Sequence, residues 1–104
     1  MKAKRALLLM LCAACLPLAA VAQTSFPNKP IRIIVPFPPG GGTDTVARAV
    51  AARLTESWKQ PVVVDNKPGG NTLIGAEAAA KAAPDGHTLF VAIDSTLAMN
   101  PSLY

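Results

Sequence analysis

The residues whose types and spacing could do chemistry lie in Pro36-Phe37-Pro38-Pro39-Gly40-Gly41-Gly42-Thr43-Asp44. Pro36, Pro38 and Pro39 fix φ and donate no hydrogen bond, so this stretch is stiff and cannot extend a strand. Gly40, Gly41 and Gly42 let a ligand approach the backbone closely. The helical pattern that follows, Val46 to Trp58, contains neither Gly nor Pro. A glycine turn entering a helix leaves unpaired amides at the positive end of the helix dipole, and these attract an anion. Thr43 or Asp44 is expected to cap that helix. The chemistry implied is reception of a negatively charged group.

Other chemistries find little support. His87 is the single histidine, and it reads as a surface residue at the start of a strand. Ser95 has no visible partner base, and no His, Asp or Glu cluster has the spacing of metal ligands. A phosphate-cradling Gly-Lys-Ser/Thr is absent from both glycine clusters. Gly40 and Gly42 match the first two glycines of G-x-G-x-x-G, with Thr45 in the third place and Asp65 near the position of a ribose-binding acid. That imperfect match makes a fragment of a nucleotide-dependent oxidoreductase the alternative of a different class.

The elements that must position these residues alternate. Ile31–Val35 is a strand, apolar except for Arg32, as in a strand covered on both faces. The helix after it carries Val46, Val50, Leu54 and Trp58 at four-residue steps, widened by Ala47 and Ala51, and this stripe is expected to face the sheet. Arg48, Thr55 and Lys59 lie away from it. Gln60-Pro61 breaks the helix, and Val62–Asn66 forms a second strand. Lys67-Pro68-Gly69-Gly70-Asn71-Thr72 repeats the earlier device, with Asn71 or Thr72 as the cap of a helix from Leu73 to about Ala83. After the turn Pro84-Asp85-Gly86, the third strand spans His87–Ile93 and ends in Asp94-Ser95-Thr96. Strand–helix–strand–helix–strand with short links predicts a parallel, doubly wound α/β sheet, with ligands beyond the carboxyl ends of its strands. All three polar clusters (36–44, 66–72 and 94–96) fall at those ends.

Residues 1–22 read as a secretory signal, with Lys2, Lys4 and Arg5 before a short apolar run and Ala20-Val21-Ala22 before the cleavage point. Cys15 follows Ala13-Ala14 as in a lipoprotein site, but Cys12 stands where such a site carries Leu. With both cysteines in this leader, the mature chain has no thiol, so disulfides and Cys-held metals are excluded. Three of the ten Lys and Arg also fall there, leaving seven against six Asp and Glu. The basic balance therefore belongs to the leader and gives no support to nucleic-acid binding. Residues 23–104 read as the opening of a larger domain whose sheet edges are uncovered, so a non-functional truncated product is a third reading.

Several spaced motifs resemble one family. Phe26-Pro27-Asn28-Lys29-Pro30-Ile31-Arg32, then Val35 through Asp44 and Ala47-Arg48, look like the opening of the Bug family, the periplasmic substrate-binding proteins of tripartite tricarboxylate transporters. Val63-Val64-Asp65-Asn66-Lys67-Pro68-Gly69-Gly70, Ile74-Gly75-Ala76, Pro84-Asp85-Gly86-His87-Thr88-Leu89 and Asn100-Pro101-Ser102-Leu103-Tyr104 follow in order, with His87 where the family usually has Tyr. The resemblance implies an α/β, periplasmic-binding-protein-like first domain, incomplete here, with three βα units or fewer. It implies two domains in the longer family members, closing on a small organic carboxylate that is passed to membrane transporter subunits. Neither catalysis nor a cofactor is implied. Carried over residue by residue, the ligand would meet Phe37, Pro39, Gly42, Thr43 and Asp44 in the first loop. Gly70 and Asn71 would meet it in the second, and Ser95 and Thr96 in the third. Because an acid beside a bound carboxylate would repel it, Asp44 is assigned to the helix cap or to a ligand amino or hydroxyl group.

Overall fold

The computed structural model describes residues 24–104, so the leader, its cleavage point and both cysteines lie outside the described residues. Three strands, β1 (Ile31–Val35), β2 (Val62–Asn66) and β3 (Thr88–Phe90), form one sheet in the order β2-β1-β3. Both pairings are parallel, with Ile33 opposite Val64 on one side and Leu89 on the other. The fold class is therefore α/β, as the alternating elements require.

Helix α1 (Gly42–Trp58) connects β1 to β2, and α2 (Leu73–Ala80) connects β2 to β3 after a 3₁₀ turn at Gly70–Thr72. Ile33 and Val35 pack with Ala47 and Ala51 of α1. Ile34, whose side chain points to the opposite face, is fully buried where α2 contacts β1 and β3. Gly75 brings α2 close to the start of the first loop. A Cβ there would lie 2.9 Å from Pro36 Cβ and 3.1 Å from the Lys67 carbonyl oxygen.

The helix faces differ from the apolar stripe expected of the sequence. Ala47 and Ala51 are buried together with Asp44, whereas Val46 is 64 % exposed and Val50 46 % exposed. Small side chains let α1 lie close to the sheet, which turns the larger valines outward. Trp58 sits at the margin, edge-on to Phe26 with ring centroids 6.4 Å apart. Thr55, expected away from the contact, accepts a hydrogen bond from the Val62 amide and donates to the Ala51 carbonyl.

Other boundaries shift for identifiable reasons. Helix α1 begins at Gly42 rather than Val46, and its N-cap is Gly41 rather than Thr43 or Asp44. Helix α2 stops at Ala80 rather than Ala83, and the residue before Pro84 is disfavoured in helical conformation. Thr72 occupies the N-cap position of α2, but neither it nor Asn71 supplies a side-chain cap. Strand β3 is shorter than 87–93, because its partner β1 ends at Val35; the last ladder bond runs from the Val91 amide to the Ile34 carbonyl at 2.9 Å. The chain then becomes helical, first with wide π-type bonding at Ser95–Met99 and then as α3 (Asn100–Leu103).

His87 is a correction of the same kind. It is buried rather than on the surface, with Phe26 folded over it at a centroid distance of 4.8 Å. Its Nδ1 lies 3.1 Å from the Asp85 carbonyl oxygen. Lys29 donates to Asp85 at 2.6 Å, and chiefly through that bond the Asp85 carboxyl is pushed down to about 2. This cluster lines a 330 Å³ recess with Thr24 and Asn28 at the amino-terminal end of the strands, away from the glycine loops.

Candidate functional site: three loops at the carboxyl ends of the strands

Parallel pairing puts the segments after β1, β2 and β3 at one end of the sheet. From β1 the chain passes to β2 on one side, while β3 lies on the other. The crevice therefore falls at the carboxyl ends of β1 and β3, where a doubly wound sheet accepts its ligand. The Lys67 amide donates to the Val35 carbonyl at 2.8 Å, which holds the second loop beside the first.

In the first loop, Gly40, Gly41 and Gly42 are exposed, and Gly40 takes a left-handed φ of 93°. No side chain caps α1. Its first amides, those of Gly42 and Thr43, have no intrahelical acceptor and stand at the positive end of the dipole. A Cβ placed on Gly42 would meet nothing within 4 Å. This is an open, donor-rich surface suited to an anion.

Asp44 sits behind that surface. It is 3 % exposed, and its oxygens accept from three donors. Oδ2 accepts from the Gly40 amide at 3.0 Å and from Arg48 Nε at 2.8 Å, and Oδ1 accepts from Asn66 Nδ2 at 2.9 Å. Asn66 Nδ2 also donates to the Phe37 carbonyl at 3.0 Å, and Arg48 Nη2 donates to Asn66 Oδ1 at 3.2 Å. The Arg48 hydrogen bond, followed by those from Gly40 and Asn66, holds the Asp44 carboxyl well below the usual carboxylate range. The group is thus charged at neutral pH. The stabilisation this gives is fully present above the ordinary value near 4 and is lost as pH falls through the depressed one.

The second and third loops are locked to each other. Thr72 and Thr96 share a buried hydroxyl–hydroxyl bond of 2.7 Å. Asn71 Nδ2 donates to Asn100 Oδ1 at 3.0 Å, and Asn100 Nδ2 returns to the Asn71 carbonyl at 2.8 Å. Gly70, Asn71 and Thr72 all have positive φ (58°, 51° and 73°), a run that carries the loop around a tight bend. Asp94 caps the last helical segment by accepting from the Ser95 amide at 2.8 Å.

The residues singled out from the sequence thus divide. Pro39, Gly42, Gly70 and Asn71 are exposed, with Thr43 and Ser95 half-buried beside them. Phe37 packs its ring against the Ile33–Val35 core, Asp44 is buried under the first loop, and the Thr96 hydroxyl is turned inward to Thr72. Sequence reasoning missed Asn66, Thr72 and Asn100 as the ties between loops. For Asn66 the available signal was its polarity at the carboxyl end of a strand that opens with three valines; Thr72 and Asn100, beyond the ends of β2 and β3, carry no such mark. Among the described residues, no group of three or more His, Cys, Asp or Glu could hold a metal.

Residues 46–104 match the family described as "Tripartite tricarboxylate transporter family receptor". Among curated relatives, Protein BugT of Bordetella pertussis is 49 % identical over 86 residues, covering 82 % of this chain and 26 % of BugT. A solved periplasmic transporter superposes with a TM-score of 0.71 at 52 % identity, over 75 % of this chain and 26 % of its own. MatC from Rhodopseudomonas palustris, solved with bound malate, gives 0.60 at 43 % identity, over 62 % and 22 %. An R. palustris protein solved with adipate gives 0.65 at 38 % identity, over 67 % and 23 %. The chain spans about a quarter of the length of the relatives it matches.

Proposed function

This chain belongs to the tripartite tricarboxylate transporter receptor family, and from that premise we propose that it is part of a periplasmic solute-binding protein that captures a small organic carboxylate. The captured acid is handed to the membrane subunits of the transporter, and the protein performs no catalysis. Residues 1–22 serve as the export signal, cleaved after Ala22, and residues 23–104 supply the loop-bearing part of the first domain. The carboxylate lies against the backbone amides near Gly42 and Thr43, flanked by Pro39, Gly70, Asn71 and Ser95. Phe37, Asp44 and Thr96 form the support behind them.

The observation that carries this reading is the uncapped amino end of α1, held open among three loops at the carboxyl ends of parallel strands. Support comes from two structural neighbours whose ligands, malate and adipate, are both dicarboxylates. Calorimetric titration of the full-length protein with malate, adipate and the diamide of malic acid tests it. Charge-assisted hydrogen bonds contribute roughly 1.5–3 kcal/mol, so the best diacid should bind at least about tenfold more tightly than the diamide. Equal binding of acid and amide, or binding of a dinucleotide in preference to either acid, would overturn the proposal.

A further inference from the structure

The amino end of α1 carries an apparent contradiction. It offers unpaired amides to an anion, yet a carboxylate, Asp44, stands on the first turn of the same helix. A helix dipole contributes about half a positive charge at its amino end, and an uncompensated carboxylate there would outweigh it. The side chain of Asp44 is 4 % exposed, so water screens its charge poorly. Something in the protein must cancel it.

Arg48 is placed to do so. Its Nε lies 2.8 Å from Asp44 Oδ2, one helical turn along, and its Nη2 reaches Asn66. The other cation at this end, Lys67, is 3.6 Å from Asp65, which also lies 3.5 Å from Arg32. Asn66 donates to Asp44 but brings no charge. Among the described residues, the balance of the first turn therefore depends on one guanidinium.

We infer that Arg48 is a positioning residue of the anion site: by neutralising the buried Asp44 carboxylate it leaves the amino end of α1 net positive and able to accept a second, exogenous carboxylate. The inference rests on the carboxylate-capture reading above. In this arrangement Asp44 shapes the loop through Gly40 and Asn66, and Arg48 removes the electrostatic penalty of having an acid there. Arg48 contributes to affinity without needing to touch the ligand.

The test is a double-mutant cycle in the full-length protein, with malate binding measured by calorimetry. Arg48→Met exposes the bound acid to an unbalanced Asp44 and should weaken binding by at least about tenfold. In an Asp44→Asn background the same Arg48→Met change should weaken binding by less than about threefold, because no charge remains to cancel. Arg48→Lys keeps the charge while losing the planar fork, and should hold malate binding within about threefold of the parent. Equal losses from Arg48→Met in both backgrounds, or a loss with Lys as large as with Met, would overturn the inference, since Arg48 would then act by contact or by shape. Absence of malate and adipate binding in the unmutated protein would instead overturn the carboxylate reading itself. Should Arg48→Met fail to fold, the Lys variant and the double variant keep the comparison measurable, because Asn66 can still bond to the amide side chain that Asp44→Asn introduces.

Discussion

Two glycines of the same chemical type answer different needs. Gly75 is fixed by packing, because a Cβ would press against Pro36 and the Lys67 carbonyl, and any larger residue would push α2 off the first loop. Gly42 faces no such neighbour; a Cβ there meets open space, and its φ lies outside the left-handed region. A side chain at position 42 is therefore tolerated by the fold and intrudes only on what approaches from outside. Gly42→Val in the full-length protein should lower malate affinity by at least about tenfold while leaving the thermal midpoint near that of the parent. Calorimetry together with thermal unfolding separates the two effects. Unchanged affinity in a folded variant would move the ligand away from the amino end of α1. Asp44 shows how a residue's role can depend on neighbours distant in sequence. Its place after the glycines suggests a cap, a position Gly41 takes instead; its bond from Gly40 is local, but Asn66, 22 positions away, is joined to it only when β2 lies beside β1.

Each element is held at the site end by a small number of polar ties. The tie between Thr72 and Thr96 is buried and joins the loop after β2 to the segment after β3. Replacing Thr72 leaves the Thr96 hydroxyl unsatisfied, which costs about 1–3 kcal/mol, whereas replacing Thr96 still leaves Thr72 Oγ1 accepting from Asn100 Nδ2 at 3.4 Å, and replacing both with valine is nearly neutral. Thr72→Val should therefore destabilise the full-length protein more than Thr72→Val/Thr96→Val does, as read from denaturant midpoints. A double variant clearly less stable than the single would mean the hydroxyls are not each other's main partners. The elements themselves were unevenly legible in the sequence. Ile31–Val35 and Val62–Asn66 could be bounded to the residue, because β-branched runs stop at proline or at a polar loop. The end of β3 could not, since His87–Ile93 stays apolar beyond the point where β1 turns away at Pro36. The buried face of α1 was misread because valine and tryptophan outrank alanine in hydrophobicity, while close approach to a sheet favours alanine. The helical segment 95–103 has no apolar periodicity to announce it. Of the candidate site, the three loops were legible from glycine, proline and position, but their ties were not, because those ties join residues 22 to 29 positions apart.

At the scale of the whole molecule, the proposed function gives one end of the sheet to the ligand and the other to structure. The glycine loops and the amino end of α1 gather at the carboxyl ends of the strands, while Phe26, Lys29, Asp85 and His87 close the opposite end. The chain spans about a quarter of its relatives, and the surface at the carboxyl ends is open rather than enclosed. In the proposed function it supplies one side of the ligand's surroundings. The central claim is a location: the acid is held by backbone amides at the start of α1, with Arg48 and Asp44 balanced behind it. A crystal structure of the full-length protein with malate or adipate tests that claim most directly. A ligand carboxylate is expected within about 3 Å of the Gly42 and Thr43 amide nitrogens, with the Asp44–Arg48 pair intact. A carboxylate bound elsewhere, or one paired directly to Arg48 with Asp44 released, would contradict it.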